Sequence, residues 1–527
     1  MCIFTEKAMI RYRSEKQLSI EEFQTPFQMN LKSSNRWVKL SQKIPWDDLA
    51  MIYYKVMSAD QGAPSIDARR IIGAIIIKHK LKLSDEETVM QIQENPYLQY
   101  FLGYSVYESE PIFSATLFVE IRKRLGIDKF NEMSSKLIDK AFPESETNKS
   151  PKTRKRNNQN ETENEKDLDR SIKKKKSQKT LIIDATVAEH AIKYPNDLDL
   201  LNDCRKSCEE IIDNLYLQSD LQVKPRTYRR EAKKQYLSTA KKKNKSRKEL
   251  RKAIGKQLRY IRRDIKIIEK LLDKLNQQGF PLPMKYQRRY WIVQEIYRQQ
   301  NSMYKSKIHK CDDRIVSISQ PHVRPIVRGK AGKKVEFGPK LGVGMQEGFA
   351  LVDNFSWDAY NESTDLAEQI ENYRKRAGAY PDRVIADQLY GTIENRNFMK
   401  SKGIRFAGKA LGRPKTATEE NRIELKKDKE RRKKEYRERI PIEGKFGQGK
   451  NGYRLNYIRA RLTKTSESWI GAIFFVMNLM NLQAKKINST LNIVKNQFLK
   501  FKIEIICWDI YYYSPGIFIE PTRHKKL

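Results

Sequence analysis

The chain has 527 residues, enough for several domains, and its Lys and Arg outnumber Asp and Glu by 40. Such an excess repels itself unless a polyanion is the partner, so nucleic acid is the first candidate. With 39% hydrophobic residues, six Trp and 26 Tyr, the composition excludes a histone-like or ribosomal tail and calls for substantial cores.

The five cysteines are few and odd in number, which fits a reducing compartment, and Cys204 and Cys208 have helical spacing but no neighbouring His or Cys to complete a zinc site. No run of about 18 apolar residues occurs and the first residues lack a signal-peptide core, so an intracellular protein with no membrane span is expected.

Residues 1–60 read as a mixed N-terminal segment ending in WDDLAMIYYKVMS. From 61 to 142 the pattern is helical. Ile66, Ile71, Ile72, Ile75 and Ile76 form an apolar stripe, Ser84 and Glu87 form a capping box, and Pro96 opens a further short helix. This all-α unit fits either a helix-turn-helix that reads DNA or mediates dimerisation, or a plain helical bundle. Residues 143–179 are charged and almost free of apolar side chains, as expected of a basic disordered linker.

The character changes at TLIIDATVAEHAIKYPND, which predicts a short buried strand ending in Asp184. A long helical insertion follows, over 198–310. Between Lys224 and Arg263 it holds 18 Lys or Arg against Glu231 and Glu249. Within that run Arg229, Arg230, Lys241, Lys242, Lys243 and Arg247 are the candidate contacts of an arm lying along duplex DNA. Leu258, Ile261, Ile265, Ile268 and Leu272 give the arm an apolar stripe of its own.

Strands are expected to return at Arg314, with DDRIVSISQ, the glycine-rich VRPIVRGKAGKKVEFGPKLGVGM and EGFALVDNFSWDAYN as consecutive members of one sheet with LIID. A helix over 365–377, capped by Ser363 or Thr364, leads to a strand over 384–386 with Asp387 at its end. A helix over 393–402, Gly403 as its cap and a strand over 404–407 complete the run. Asp387 repeats the placement predicted for Asp184, an acid at the C-terminal end of a strand, where open sheets bind ligands.

In YRERIPIEGKFGQGK, a helical reading puts Tyr436, Arg439, Glu443 and Lys450 on one face, a mixture suited to phosphates and metal ions. Pro441, Gly444, Gly447 and Gly449 argue for a break in that helix, each glycine costing about 1 kcal/mol relative to alanine. SWIGAIFFVMNLMNL, with Trp469, Phe474 and Phe475, reads as a core helix covering the sheet, while His190 and His322 read as structural histidines. Arg324 and Arg328 fit a DNA contact and an exposed sheet face equally, and residues 486–527 form a tail of no recognisable role.

The order strand-Asp, two strands, helix, strand-Asp, helix, strand, helix-Glu matches a ribonuclease-H-like layout. The spacing of Tyr436, Arg439, Glu443 and Lys450 also resembles the Y-R-E-K signature of bacterial insertion-sequence transposases of the DDE superfamily. IIDATVAEHAIKYPND and VIADQLYGTIENRNF resemble the segments that hold the first and second Asp of those enzymes.

The resemblance implies an α/β fold: a ribonuclease-H-like mixed-sheet catalytic core over 180–485 with a long helical insertion, preceded by an all-α N-terminal domain. It implies that Asp184, Asp387 and Glu443 hold two Mg²⁺ or Mn²⁺ ions, and that Tyr436, Arg439 and Lys450 hold phosphates. The implied activity is cleavage at the terminal inverted repeats of a mobile element and transfer of its 3′ ends to target DNA, by a homodimer in the bacterial cytoplasm and nucleoid. The competing expectation is an inactive, repurposed DNA-binding protein.

Overall fold

A computed structural model describes residues 30–57, 65–142, 179–275, 279–327, 335–413, 416 and 418–485. The linker expected over 143–179, apart from Lys179, the tail over 486–527 and Arg328 lie outside the described residues.

Among the described residues seven helices come first: α1 (Arg36–Ser41), α2 (Trp46–Tyr54), α3 (Ala68–Leu81), α4 (Asp85–Glu94), α5 (Pro96–Phe101), α6 (Leu117–Arg124) and α7 (Ile127–Ala141). Local chemistry sets their starts. The Asp67 carboxylate accepts from the Arg69 N–H, Ser84 Oγ accepts from the Glu87 N–H as expected, and Pro96 occupies the first turn of α5. Trp37, Trp46 and Tyr53 from α1 and α2 are buried in the same core as the isoleucines of α3. The helical unit therefore extends back across residue 61, because those aromatics have no other core to enter.

β1 (Thr180–Val187) starts the sheet, and β2 (Pro325–Val327), β3 (Val335–Phe337), β4 (Lys340–Gln346), β5 (Phe349–Ser356), β6 (Arg383–Ile385) and β7 (Arg405–Ala407) follow. Five of these form one mixed sheet in the order β5-β4-β1-β6-β7, antiparallel from β5 to β1 and parallel from β1 to β7. This α/β arrangement is compatible with a ribonuclease-H-like core.

Three expectations need correction. β1 does not end at Asp184, because its ladder with β4 continues through Ala185 opposite Gly342 to Val187 opposite Lys340. DDRIVSISQ forms no strand: Ile315 is buried in the helical insertion and its N–H donates to Gln299 Oε1 at 3.0 Å, so packing replaced pairing. Among the described residues β2 and β3 pair with each other in a small sheet of their own.

β4 and β5 are joined through Glu347 and Gly348, both at positive φ (51° and 81°), the two-residue turn that suits the twist of a hairpin. The Asn478 side-chain amide donates to the Ala350 carbonyl (2.8 Å) and accepts from its N–H (2.9 Å). Asn131 makes the same pair of bonds to Val352. The edge strand is thus covered, which removes a row of backbone groups that would otherwise invite another strand.

The insertion comprises α8 (Asp197–Tyr216), α9 (Arg229–Ala240), α10 (Arg247–Leu275) and α11 (Met284–Ser306). Leu201, Cys204, Cys208 and Ile211 of α8 meet Leu258, Ile261 and Ile268 of α10 and Val293 and Ile296 of α11 in a core of their own. α12 (Leu366–Ala377) follows a 3-10 turn over Glu362–Asp365. The Asn361 side chain caps that turn, so neither Ser363 nor Thr364 is the cap.

α13 (Ile393–Ser401), α14 (Arg422–Gly447) and α15 (463–485) complete the chain of elements. Gly403, at φ 70°, ends α13 as its spacing predicts. α15 packs Ile470, Ile473, Phe474 and Met477 on one face of the sheet, while Ala472, Phe475, Val476 and Leu479 enter the core of the N-terminal helices.

Candidate active site

β1 and β6 pair in parallel, so the two aspartates follow the paired ends of neighbouring strands. Ile182 pairs with Ile385, and Asp184 and Asp387 each lie two residues further along. Asp184 is partly buried. Its Oδ1 accepts from the Ala185 N–H at 2.8 Å, and burial pushes its carboxyl above the ordinary range, opposed by that N–H and by Arg439. Asp387 is exposed just past β6, with its Oδ1 accepting from the Gln388 N–H at 2.6 Å.

Glu443 comes from α14, which runs unbroken through Pro441, contrary to the break expected there, and gives way to a π turn after Gly447, among the glycines that also argued for a break. A proline inside a helix costs about 3 kcal/mol. Here Pro441 lies exposed, while Ile442 (0% exposed) and Phe446 (8%) sink into the core on the opposite side, each contributing about 2 kcal/mol by burial. Their burial holds the helix through the proline.

Two ion pairs fix where α14 crosses the sheet. Arg383 and Arg405, paired neighbours on β6 and β7, meet Glu438 (2.8 Å) and Glu435 (2.6 Å), and Arg383 Nε also donates to Thr180 Oγ1 at 2.8 Å. Glu435 and Glu438 stand three residues apart, so they face the sheet together while Arg439 and Glu443 point to the strand ends.

One guanidinium then joins strand to helix. Arg439 Nη1 lies 3.4 Å from Asp184 Oδ2 and its Nη2 lies 2.7 Å from Glu443 Oε1. The Tyr436 ring is exposed, with the Arg439 guanidinium carbon 5.7 Å from its centroid. Lys450 follows in a π turn (Gln448–Gly452), where its ammonium pairs with Glu336 of β3 at 3.0 Å. Among the described residues no three His, Cys, Asp or Glu side chains are grouped as a ready metal cage.

Further residues belong to the site that the sequence did not single out. Glu362, paired with Lys340 at 2.9 Å, is close enough for its charge to help raise Asp184. The buried Asn395 amide donates to the carbonyls of Ser363 (2.7 Å) and Tyr390 (2.9 Å), tying the turn that carries Glu362 to the turn that follows Asp387. Nothing in a linear spacing marks Asn395, since both partners are backbone groups brought near by the fold.

His190 and His322 stand together, away from these contacts. Both rings lie edge-on to Trp357, 5.2 and 4.3 Å away, and His190 Nδ1 is 2.8 Å from Gln320 Oε1. Desolvation lowers both to about 4. In the insertion, Arg229 forms a two-bond pair with Asp213, at 3.0 and 2.5 Å, and Lys242 meets Glu249 at 2.6 Å. Arg230, Lys241, Lys243 and Arg247 project into solvent.

Residues 384–480 match a family described as a transposase DDE domain, and residues 26–124 match one described as a transposase domain (DUF772). Together these two segments cover less than half of the chain, which is similar to transposases over those stretches.

The first match runs from β6 through Asp387, α14 and Glu443 into α15, and the second spans most of the N-terminal helices. The chain is also 32% identical over 108 residues to an uncharacterized protein, ORF8 in the nfe locus of Rhizobium meliloti. That segment is 20% of this chain, and the match spans about half the length of the relative. No solved structure matches. Among the described residues no helix is long and apolar enough to cross a membrane.

Proposed function

We propose that the protein is a transposase that binds the terminal inverted repeats of an insertion sequence, cleaves at the element ends and joins the 3′ ends to target DNA. The observation that carries this reading is the Arg439 bridge, which draws Asp184 of β1 and Glu443 of α14 to one cation.

Two carboxylates within reach of a single guanidinium also fit a hard divalent ion, and Asp387, just past the end of β6, would add a third oxygen donor. Asp184, Asp387 and Glu443 would hold Mg²⁺ or Mn²⁺, two ions in all. Bound there, the ions supply an activated water or 3′-hydroxyl and stabilise the leaving oxygen.

The chain's own residues do the rest. Arg439 presents a planar fork that suits a phosphate beside the carboxylates, and the exposed Tyr436 ring flanks it. Lys450 contributes a point charge if it exchanges Glu336 for a phosphate. Arg230, Lys241, Lys243 and Arg247 neutralise duplex phosphates at a distance from the chemistry, and a homodimer brings two ends together.

The test is nicking of an end-containing duplex with Mg²⁺ or Mn²⁺. Glu443→Gln is expected to abolish nicking, a loss of about 10³-fold or more, while duplex affinity stays within about twofold. Wild type that binds ends but cleaves under neither ion establishes the repurposed binding protein instead.

A further inference from the structure

α14 is two structures in one helix. Its C-terminal half is anchored by Glu435, Glu438, Ile442 and Phe446, whereas none of the residues from Arg422 to Lys434 is buried. That free half carries eight Lys or Arg against Glu424, Asp428 and Glu430. A helix polar on every side gains nothing from a core of its own. Its visible support is Asp428 with Arg431 (2.7 Å) and Arg432 (3.3 Å), surface pairs worth about 0.3–0.5 kcal/mol each.

The helical repeat gives this half a direction. Counting back from Glu443 by turns of 3.6 residues, Arg439, Tyr436, Arg432 and Lys429 fall within about 40° of one line. The stripe that faces the candidate carboxylates therefore runs on into the half-buried Arg432, which pairs with Asp428, and the exposed Lys429. Lys429 lies about 21 Å along the axis from Glu443, the length of about six base pairs.

We infer that the free half of α14 is a second duplex-binding surface, on which Lys429 and Arg432 engage the phosphates of the DNA leading into the site. This deepens the transposase reading and rests on it. A duplex aligned on that stripe would be placed by the same rigid helix that presents Glu443, so register along the DNA and position at the carboxylates are set together. The cations of the insertion, by contrast, stand on separate helices with their own core.

The experiment uses the full chain and a fluorescein-labelled 40-base-pair duplex of random sequence, with anisotropy read from about 50 to 300 mM salt. The double variant Lys429→Gln/Arg432→Gln is compared with Lys375→Gln/Lys400→Gln, exposed cations of α12 and α13. The expected result is affinity about tenfold weaker for the first pair and a salt slope shallower by about two, since each phosphate contact contributes about 0.9. The second pair should remain within about twofold.

Wild-type binding with an unchanged slope in Lys429→Gln/Arg432→Gln, or equal losses from both pairs, overturns the stripe and leaves the transposase reading standing. Wild type with no salt-dependent duplex binding overturns both. An unchanged thermal midpoint in both variants shows that the fold is intact.

Discussion

The two all-helical parts of the protein are attached to its sheet in different ways. The N-terminal helices share one continuous core with α15 and β5, through Phe130, Phe349, Phe475 and Leu479. The insertion closes its core on itself, and both chain crossings into it pass a small polar and aromatic junction. His190 lies between β1 and α8, His322 lies between α11 and β2, and Gln320 and Trp357 contact them. A shared core couples the stability of two parts, whereas a self-contained core lets one part loosen alone. The N-terminal unit is thus part of the scaffold, and the insertion is an appendage whose basic surface is free to follow a ligand.

The strongest way to break this comparison is Phe475→Ala. Phe475 is fully buried and its ring centroid is 6.0 Å from that of Phe130, so the truncation should cost about 3–5 kcal/mol. Denaturant unfolding followed by circular dichroism should show helices and sheet losing stability in one transition. Separate transitions would mean that the shared core does not couple them.

Ile261→Ala, in the insertion core, should cost about 2–5 kcal/mol locally. Hydrogen exchange read by mass spectrometry should lose protection over 197–306 while β1 and β4 keep theirs. Loss in the sheet as well would erase the distinction.

Acidification probes the junction. His190 and His322 titrate at about 4 when folded and near 6.5 when unfolded, so the unfolded chain takes up protons first as pH falls. Their contribution is complete above about pH 6.5 and is lost between there and about pH 4. The insertion should loosen in that window, and His190→Asn/His322→Asn should flatten the dependence in the exchange rates of α8 and α11.

The smallest effect on stability belongs to Lys241→Gln/Lys243→Gln. These exposed side chains should move the unfolding free energy by no more than about 0.5 kcal/mol. If the appendage meets DNA, the salt slope of duplex binding falls by about 0.9 for each contact removed. An unchanged slope would leave the insertion without a DNA role.

Particular residues show what was legible in advance. The capping box of Ser84 and Glu87, the cap at Gly403 and the apolar face of α15 were readable because each is a local matter of hydrogen bonding or period. The alternation in DDRIVSISQ misled, because Ile315 found a helical core before it found a strand. Pro441 misled in the other direction, because a local penalty was outweighed by the burial of Ile442 and Phe446. Of the candidate site, the place of Asp387 just past a strand and the helical spacing of Arg439 and Glu443 were legible, whereas Asp184 lies within β1 and not at its end. Asn395, Glu362 and the Arg383 and Arg405 clamp were not, since their partners lie on other elements.

By itself, then, the sequence determined the alternation of helices and strands, the concentration of positive charge and which acids stand at candidate positions. Those properties follow from side-chain period, capping and composition, all of which act within a few residues. Only the tertiary structure decided that β1 and β6 pair in parallel, that Arg439 reaches both Asp184 and Glu443, and that Lys450 meets Glu336. Each of these depends on how β1, β6 and α14 pack across long stretches of chain, where burial and ion pairing between distant residues outweigh local preference.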